Sequence, residues 1–309
     1  MSRVIRIATR ASPMALHQAQ QVGDSLRALE ASLDTEVIKV TTAGDRWMGD
    51  LAELGGKGAF IKQIDTELLE HRADLAVHCL KDIPGEIPVP EGLAFAGYLR
   101  RDDIHDAAIT TSGARLADLP EGSVIGTSSV RRTAQLRVHF PHLRVAPVRG
   151  NINTRLMRLD EGHFDGLVAA VAGMRRVGQA ERITEVLPLE TMCPPVGAGI
   201  IALQCREGDD YPLGLGGRLN HGETARQADA ERAMLHALQG HCNSPIAGYA
   251  TTGASGELTL RGEVFSPDAS RWVRACHSGD PDNPHALGFF VGADLLRQGA
   301  RTIIDAIPH

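Results

Sequence analysis

Two stretches of this chain share one pattern. Ile7-Ala-Thr9 followed by Ser12, and Ile125-Gly-Thr127 followed by Ser128, each read as a strand that turns into a hydroxyl-rich helix start. A helix start presents free backbone N–H groups and the positive end of the helix dipole, so each is a ready anion site. The surrounding hydrophobic pattern alternates between the two periods. Val4 to Ala8 reads as a strand, Ser12-Pro13 as an N-cap with proline at the first helical position, and Leu16, Val22, Leu26 and Leu29 as one helix face. Glu36 to Thr41 predicts a second strand, Phe60 to Leu69 a helical stripe, and Asp74 to His78 a short buried strand. A second series begins near Arg100. It predicts strands at Val124–Gly126, Val145–Val148 and Leu167–Ala172. Between and after them come helices from Ser129 to Leu136, from Asn153 to Leu159, and around Arg175 and Arg176. Such alternation implies βαβ units and parallel-rich sheets. Two similar α/β lobes imply a ligand cleft beyond the carboxyl ends of their strands.

The texture changes at Thr224. Ala225 to Gln239 reads as a helix stopped by Gly240. Strands follow at Ile246–Thr251, Glu257–Phe265 and Trp272–His277, then a helix from Ala286 to Gln298. This is a small α+β unit; by length alone 309 residues suggest two domains, with three small ones also possible.

Charge narrows the function. The chain carries −6 overall and only 12 aromatic residues (7 Phe, 2 Trp, 3 Tyr), which argues against a nucleic-acid surface. Met1 to Arg6 has no apolar leader core, and the longest apolar runs, such as Leu167 to Met174, are too short to span a bilayer. Five cysteines without paired spacing fit a reducing compartment, so the expectation is a soluble cytoplasmic protein. Of 32 basic residues four are lysines (Lys39, Lys57, Lys62, Lys81), leaving 28 arginines. Between Val124 and Arg176 nine arginines face three acids, so this segment carries +6 in a chain that carries −6. A local basic focus in an acidic protein points to a small polyanionic ligand. Arg137, Arg144 and Arg158 read instead as a solvated helix face.

Three places carry candidate chemistry. His78-Cys79-Leu80-Lys81-Asp82 closes a strand, so Lys81 and Asp82 fall where sites collect. Asp82 is either an ionised acceptor or proton shuttle, or a turn aspartate before Pro84. Gly55-Gly-Lys57-Gly58 departs from the Walker A pattern and reads as a lysine-bearing loop or a hinge. Cys242 follows a helix carboxyl end, which disfavours a thiolate nucleophile but leaves an attachment point open. Cys79, Cys193, Cys205 and Cys276 read as buried and inert. His236, His241 and Cys242 match no zinc spacing, so no metal is expected.

Taken together these segments resemble the porphobilinogen deaminase family over nearly the whole chain. The carriers are Arg6-Ile-Ala-Thr-Arg10 with Ser12-Pro13, Gly55-Gly-Lys-Gly58, and His78 with Lys81-Asp82. Further on come Gly126-Thr-Ser-Ser129 with Arg131-Arg132, Arg149-Gly150-Asn151 with Thr154-Arg155, and Val171-Ala-Gly173 with Arg176. Last is Cys242 with Pro245-Ile246. The resemblance implies two lobes of the periplasmic-binding-protein type, 1–99 with 197–220 and 100–196, and an α+β domain, 221–309. It implies a dipyrromethane cofactor on Cys242 through a thioether. Onto it four porphobilinogen molecules are deaminated and condensed head to tail, and hydrolysis releases the linear tetrapyrrole hydroxymethylbilane. By the same resemblance Asp82 is the catalytic carboxylate, stabilising the cationic azafulvene left by loss of ammonia. Arg10, Arg131, Arg132, Arg149, Arg155 and Arg176 take acetate and propionate groups. Ser12, Thr127, Ser128 and Ser129 add donors, Lys57 and Lys81 help hold carboxylates, and Gly150 and Gly173 lie in the binding surface. The enzyme is expected to act as a monomer without nucleic-acid or membrane partners.

The sequence also departs from that pattern. The loop usually reading Gly-Gly-Cys-Gln-Val-Pro-Ile-Gly is Gly240-His-Cys-Asn-Ser-Pro-Ile-Ala247, a usual Gln is Ala198, and a usual Ser is Cys79. Two rival readings are a non-catalytic two-lobed binding protein for a small polycarboxylate, and a Cys-His hydrolase using Cys242 and His241.

Overall fold

The computed structural model describes residues 3–46, 58, 60–240 and 244–307. The chain opens with β1 (Arg3–Arg10), α1 (Pro13–Leu29), β2 (Leu33–Val40), α2 (Ala43–Arg46), α3 (Lys62–Leu69), β3 (Leu75–Cys79) and β4 (Leu93–Tyr98). A second series holds β5 (Asp106–Thr110), β6 (Val124–Gly126), α4 (Val130–His139), β7 (Arg144–Ala146), α5 (Ile152–Asp160), β8 (Gly166–Ala170), α6 (Val171–Arg176) and β9 (Glu185–Val186). The chain then returns through β10 (Ile201–Arg206) and α7 (Asp210–Leu219). It ends in α8 (Gly222–Leu238), β11 (Ile246–Thr252), β12 (Leu258–Phe265), β13 (Trp272–Gly279), α9 (Pro284–Arg297) and α10 (Ala300–Asp305).

The two large sheets have equivalent orders, β2-β1-β3-β10-β4 and β7-β6-β8-β5-β9. In each, the fourth strand is antiparallel to both neighbours and the other strands run one way. That odd strand is the first one entered after the chain crosses from the other sheet. The sheets are apolar on both faces, as a helix-covered α/β sheet must be. Ile7, Leu26 and Leu75 pack on one side of the first sheet and Ala8, Ile64 and Leu68 on the other. The β11-β12-β13 sheet is antiparallel and packs against α8 and α9 through Met234, Leu260 and Val291. Two α/β lobes and a small α+β unit are thus the architecture. No helix among the described residues is long and apolar enough to cross a membrane.

The segments that cross between the large sheets, 99–105 and 187–200, meet side by side. The Asp102 amide donates to the Gly199 carbonyl at 2.9 Å, and a Cβ on Gly199 (φ 72°) would fall 2.5 Å from the Asp102 carbonyl oxygen. Only glycine suits that left-handed, crowded position. Arg101 ties this crossing to the third unit: Nε donates to the Ala198 carbonyl at 2.9 Å and Nη1 to Glu231 at 2.6 Å. Glu231, fully buried on α8, also accepts the amides of Gly197 and Ala250, each at 2.7 Å.

Several boundaries differ from the sequence reading. The strand expected at Leu167–Ala172 ends at Ala170 because Val171 turns its amide to the His105 carbonyl and enters α6. Val148 leaves its strand because its amide is taken by Ser128 Oγ. Leu69, expected on a buried stripe, is exposed. The stop of α8 is Gln239, left-handed at φ 50°, rather than Gly240. Cys276 is exposed because it lies on the outward face of the edge strand β13, and Cys79 is half-buried at the last position of β3, while Cys193 and Cys205 are buried as expected.

Candidate active site

The carboxyl ends of the parallel strands bring the candidate residues to two facing edges. On the first lobe, β1 ends at Arg10 and α1 starts at Ser12, whose hydroxyl accepts the Ala15 amide at 3.3 Å. β3 runs into a single turn, Leu80–Asp82, that sets Lys81 outward and Asp82 half-buried. On the second lobe, β6 ends in Thr127-Ser128-Ser129. Thr127 is buried, its Oγ1 accepting the Ser129 amide, and Ser129 caps α4 by accepting the Arg132 amide. Ser128 Oγ both donates to the Val148 carbonyl (2.9 Å) and accepts its amide (3.0 Å), so it braces this edge. The edges touch at Gly173, where a Cβ would lie 2.8 Å from Ile152 and 3.5 Å from Met14 of the first lobe. The charge of Arg176 is felt by Cys79 across the same gap. Arg176 itself bonds Asp102 at 2.5 Å.

Arg10 is the best-held cation on the first edge. Its Nη2 lies 2.6 Å from Asp45 Oδ1 and its Nη1 3.3 Å from Asp82 Oδ2, and the guanidinium stacks 4.2 Å over the Phe60 ring. Burial pulls its pKa down, but the bond to Asp45 and the charge of Asp82 outweigh it and hold the pKa above the ordinary value. Asp45 is fixed in turn by the Thr42 hydroxyl at 2.7 Å. Burial raises its pKa, but Arg10 and Thr42 outweigh that and hold it below the ordinary range. Asp45 escaped the sequence reading, which places Phe60 on a helical stripe and not as a partner of Arg10. The Thr42-x-x-Asp45 spacing, typical of a side-chain-closed turn, was the available signal.

The arginines of the second edge divide into two kinds. Arg131 and Arg132 converge on buried Asp106, each with an Nη2 bond of 2.6 Å, and Arg131 Nη1 also donates to the Cys193 carbonyl at 2.5 Å. Burial opposes ionisation of Asp106, but the two guanidinium charges overwhelm it and its pKa falls far below 3.8. Arg155 is different. Its Nε donates to the Gly150 carbonyl at 2.8 Å, and Gly150 takes a left-handed φ of 105° to present it. Burial, then Arg132 and Arg149, push its pKa down to about 10, and among the described residues no negative charge offsets them. A half-buried cluster of like charges is stabilised by an anion brought to it. A dipyrromethane bearing acetate and propionate groups supplies that charge, so these residues fit the cofactor.

Lys57 and Cys242 lie outside the described residues. Gly240 and Ser244, on either side of 241–243, line a cavity of about 130 Å³ together with Lys81 and Asp82. The candidate catalytic carboxylate and the ends of the candidate cofactor loop therefore share one space.

Residues 5–212 match the family profile "porphobilinogen deaminase, dipyromethane cofactor binding domain", and 225–297 match the profile of that family's C-terminal domain. The chain is similar to porphobilinogen deaminase 2 of Streptomyces coelicolor, 52% identical over 99% of this chain and 98% of the relative. It is also similar to porphobilinogen deaminase of Gloeobacter violaceus, 47% identical over 99% of this chain and 94% of the relative. Among solved structures it is similar to the methionine-binding protein MetQ, with 12% identity, a TM-score of 0.42, and coverage of 70% of this chain and 89% of that one. The chain belongs to the porphobilinogen deaminase family. It is a transferase of tetrapyrrole synthesis that acts on porphobilinogen and binds a dipyrromethane cofactor.

Proposed function

We propose that Asp82 is the catalytic residue and Cys242 the thioether attachment point of a hydroxymethylbilane synthase. The observation that carries this is the shared cavity: Lys81 and Asp82 line it from the first lobe, Gly240 and Ser244 from the third unit. When bound, the dipyrromethane supplies the terminal pyrrole carbon to which each new unit joins. Loss of ammonia from porphobilinogen breaks its C–N bond and leaves a cationic azafulvene, and the Asp82 carboxylate stabilises that cation by accepting a hydrogen bond from its pyrrole N–H. Arg10 holds Asp82 in place through the 3.3 Å contact. Arg149, Arg155, Arg132 and Arg176 take acetate and propionate groups, with Ser12, Thr127, Ser128 and Ser129 shaping the helix starts whose backbone N–H groups add donors. Lys57 and Lys81 assist them, and Gly150 and Gly173 keep the surface open to the chain. Arg131 acts through Asp106, setting the second edge. The domains divide as 1–99 with 197–220, 100–196 and 221–309, and the enzyme works as a cytoplasmic monomer.

The test is the intact mass of the purified, denatured protein, with peptide mapping around Cys242. A dipyrrole's excess on that peptide is expected, directly or after incubation with porphobilinogen. Continued absence favours a non-catalytic binding protein. Cys242→Ala is expected to remain unmodified, and a modified variant would move the attachment elsewhere.

A further inference from the structure

Gln239 closes α8 in the left-handed conformation, at φ 50° and ψ 37°. Residues with a Cβ adopt that region reluctantly, and glycine is the usual choice at such a stop. Glycine stands next door at 240, yet the turn is made by glutamine. The side chain explains the choice. Its Nε2 donates to the Glu86 carbonyl at 3.0 Å, 153 residues away in sequence, and to the His236 carbonyl at 2.6 Å. Glu86 belongs to the turn that follows Asp82. The same turn is pressed onto the last turn of α8, since a Cβ on Gly85 would fall 2.6 Å from Leu235 Cδ2. Asp82 and the ends of the cofactor loop line one cavity from different units, and this is a bond between those units beside it.

We infer that Gln239 is a positioning residue for the known reaction, registering the Asp82 turn against the loop that carries Cys242. The inference rests on the roles proposed above for Asp82 and Cys242. Misplacement of reacting groups by about 1 Å is enough to slow chemistry strongly, so a bond that fixes this register acts on turnover. Gln239 is not among the residues that line that cavity, so it acts through the turn.

Gln239→Gly separates the two roles of the residue. It relieves the left-handed backbone and deletes the bond to Glu86. The expected result is a melting temperature equal to or above the parent's, with kcat for hydroxymethylbilane formation lowered about fivefold to tenfold and KM little changed, the scale of one neutral hydrogen bond. A residue serving only as a helix stop gives the same or higher stability and unchanged kcat, and that result overturns the inference. Gln239→Glu is the second variant, because a carboxylate cannot donate to the Glu86 carbonyl. It is expected to show the same loss of kcat and decides the matter if the glycine variant fails to fold. The Cys242 peptide of the parent protein is mapped first. An unmodified parent after incubation with porphobilinogen overturns the attachment reading, whereas a loaded parent with wild-type turnover in both variants overturns the Gln239 role alone.

Discussion

Arg10 Nη1 lies 3.3 Å from Asp82 Oδ2, while the other edge of the same guanidinium is clasped by Asp45. One cation therefore sits between two carboxylates, one with its own hydroxyl partner and one at the mouth of the cavity shared with the cofactor loop. Asp45 fixes where Arg10 points, and Arg10 fixes the orientation of Asp82.

Substituting the two carboxylates separates these roles. Asp82→Asn removes the group that stabilises the azafulvene and is expected to lower turnover by at least about a hundredfold, with the cofactor retained. Asp45→Asn keeps the Asp82 carboxylate but loosens the Arg10 that orients it, and a loss of about tenfold is expected. Ammonia release from porphobilinogen measures both. Normal release by Asp82→Asn returns that residue to a turn aspartate.

Arg155 is the cation least compensated by protein charge on the second edge, among the described residues. Its pKa is pushed down to about 10 by burial and by Arg132 and Arg149. Arg155→Leu removes a like-charge neighbour, so the apo protein is expected to be as stable as the parent or slightly more so. Cofactor assembly or chain growth is expected to fall, because a cation that waits for the ligand's carboxylates is gone. Thermal melting and the mass of the Cys242 peptide read the two effects separately. Unchanged kinetics would assign Arg155 to the α5 surface alone.

The sequence made the local βαβ units readable because Val4 to Ala8, Ser12-Pro13 and the Leu16–Leu29 face are short-range signals. The echo between Thr9-Ser12 and Thr127-Ser129 became the equivalence of β1-α1 with β6-α4 in two sheets of like order. What stayed hidden depends on distant partners. Nothing in Asp106–Thr110 says that it inserts antiparallel beside β8, nor that buried Asp106 will collect two arginines. Runs of apolar residues such as Leu167–Ala172 show burial but not the point where a strand yields to a helix, which the Val171–His105 bond decides. Asp45 and Gln239 went unnoticed because their partners, Arg10 and the Glu86 carbonyl, are 35 and 153 residues away.

The Arg101–Glu231 pair joins both crossing segments to the third unit. Its 2.6 Å bond is buried, and Glu231 accepts two further amides. Removing one partner of such a buried pair costs about 3–5 kcal/mol, since the other charge and two amides lose their acceptor. Glu231→Leu is accordingly expected to lower the urea midpoint sharply. A midpoint within error of the parent would show that the crossing is held by packing instead.

Asp65 carries a stability cost with a defined pH window. It is 6% exposed on α3, and its Oδ1 lacks a hydrogen-bond partner among the described residues. Burial pushes its pKa from 3.8 up to about 6, against a weaker opposing hydrogen bond from Gln204. A folded-state pKa above the unfolded one means the folded protein binds this proton more tightly. The favourable contribution is full below 3.8 and is lost as pH rises through about 6. Asp65→Asn, which stays neutral throughout, is therefore expected to be more stable than the parent at pH 7.5. The gain is about 3 kcal/mol by the energy of a pKa shift, and it shrinks toward zero below pH 4. His78, buried in the same lobe with its pKa pushed down to about 4 by burial, titrates in both proteins and largely cancels in the comparison. Urea unfolding of the two proteins across this range measures the difference. An equal increment at pH 4 and pH 7.5 would assign the change to packing around the introduced amide rather than to the buried charge.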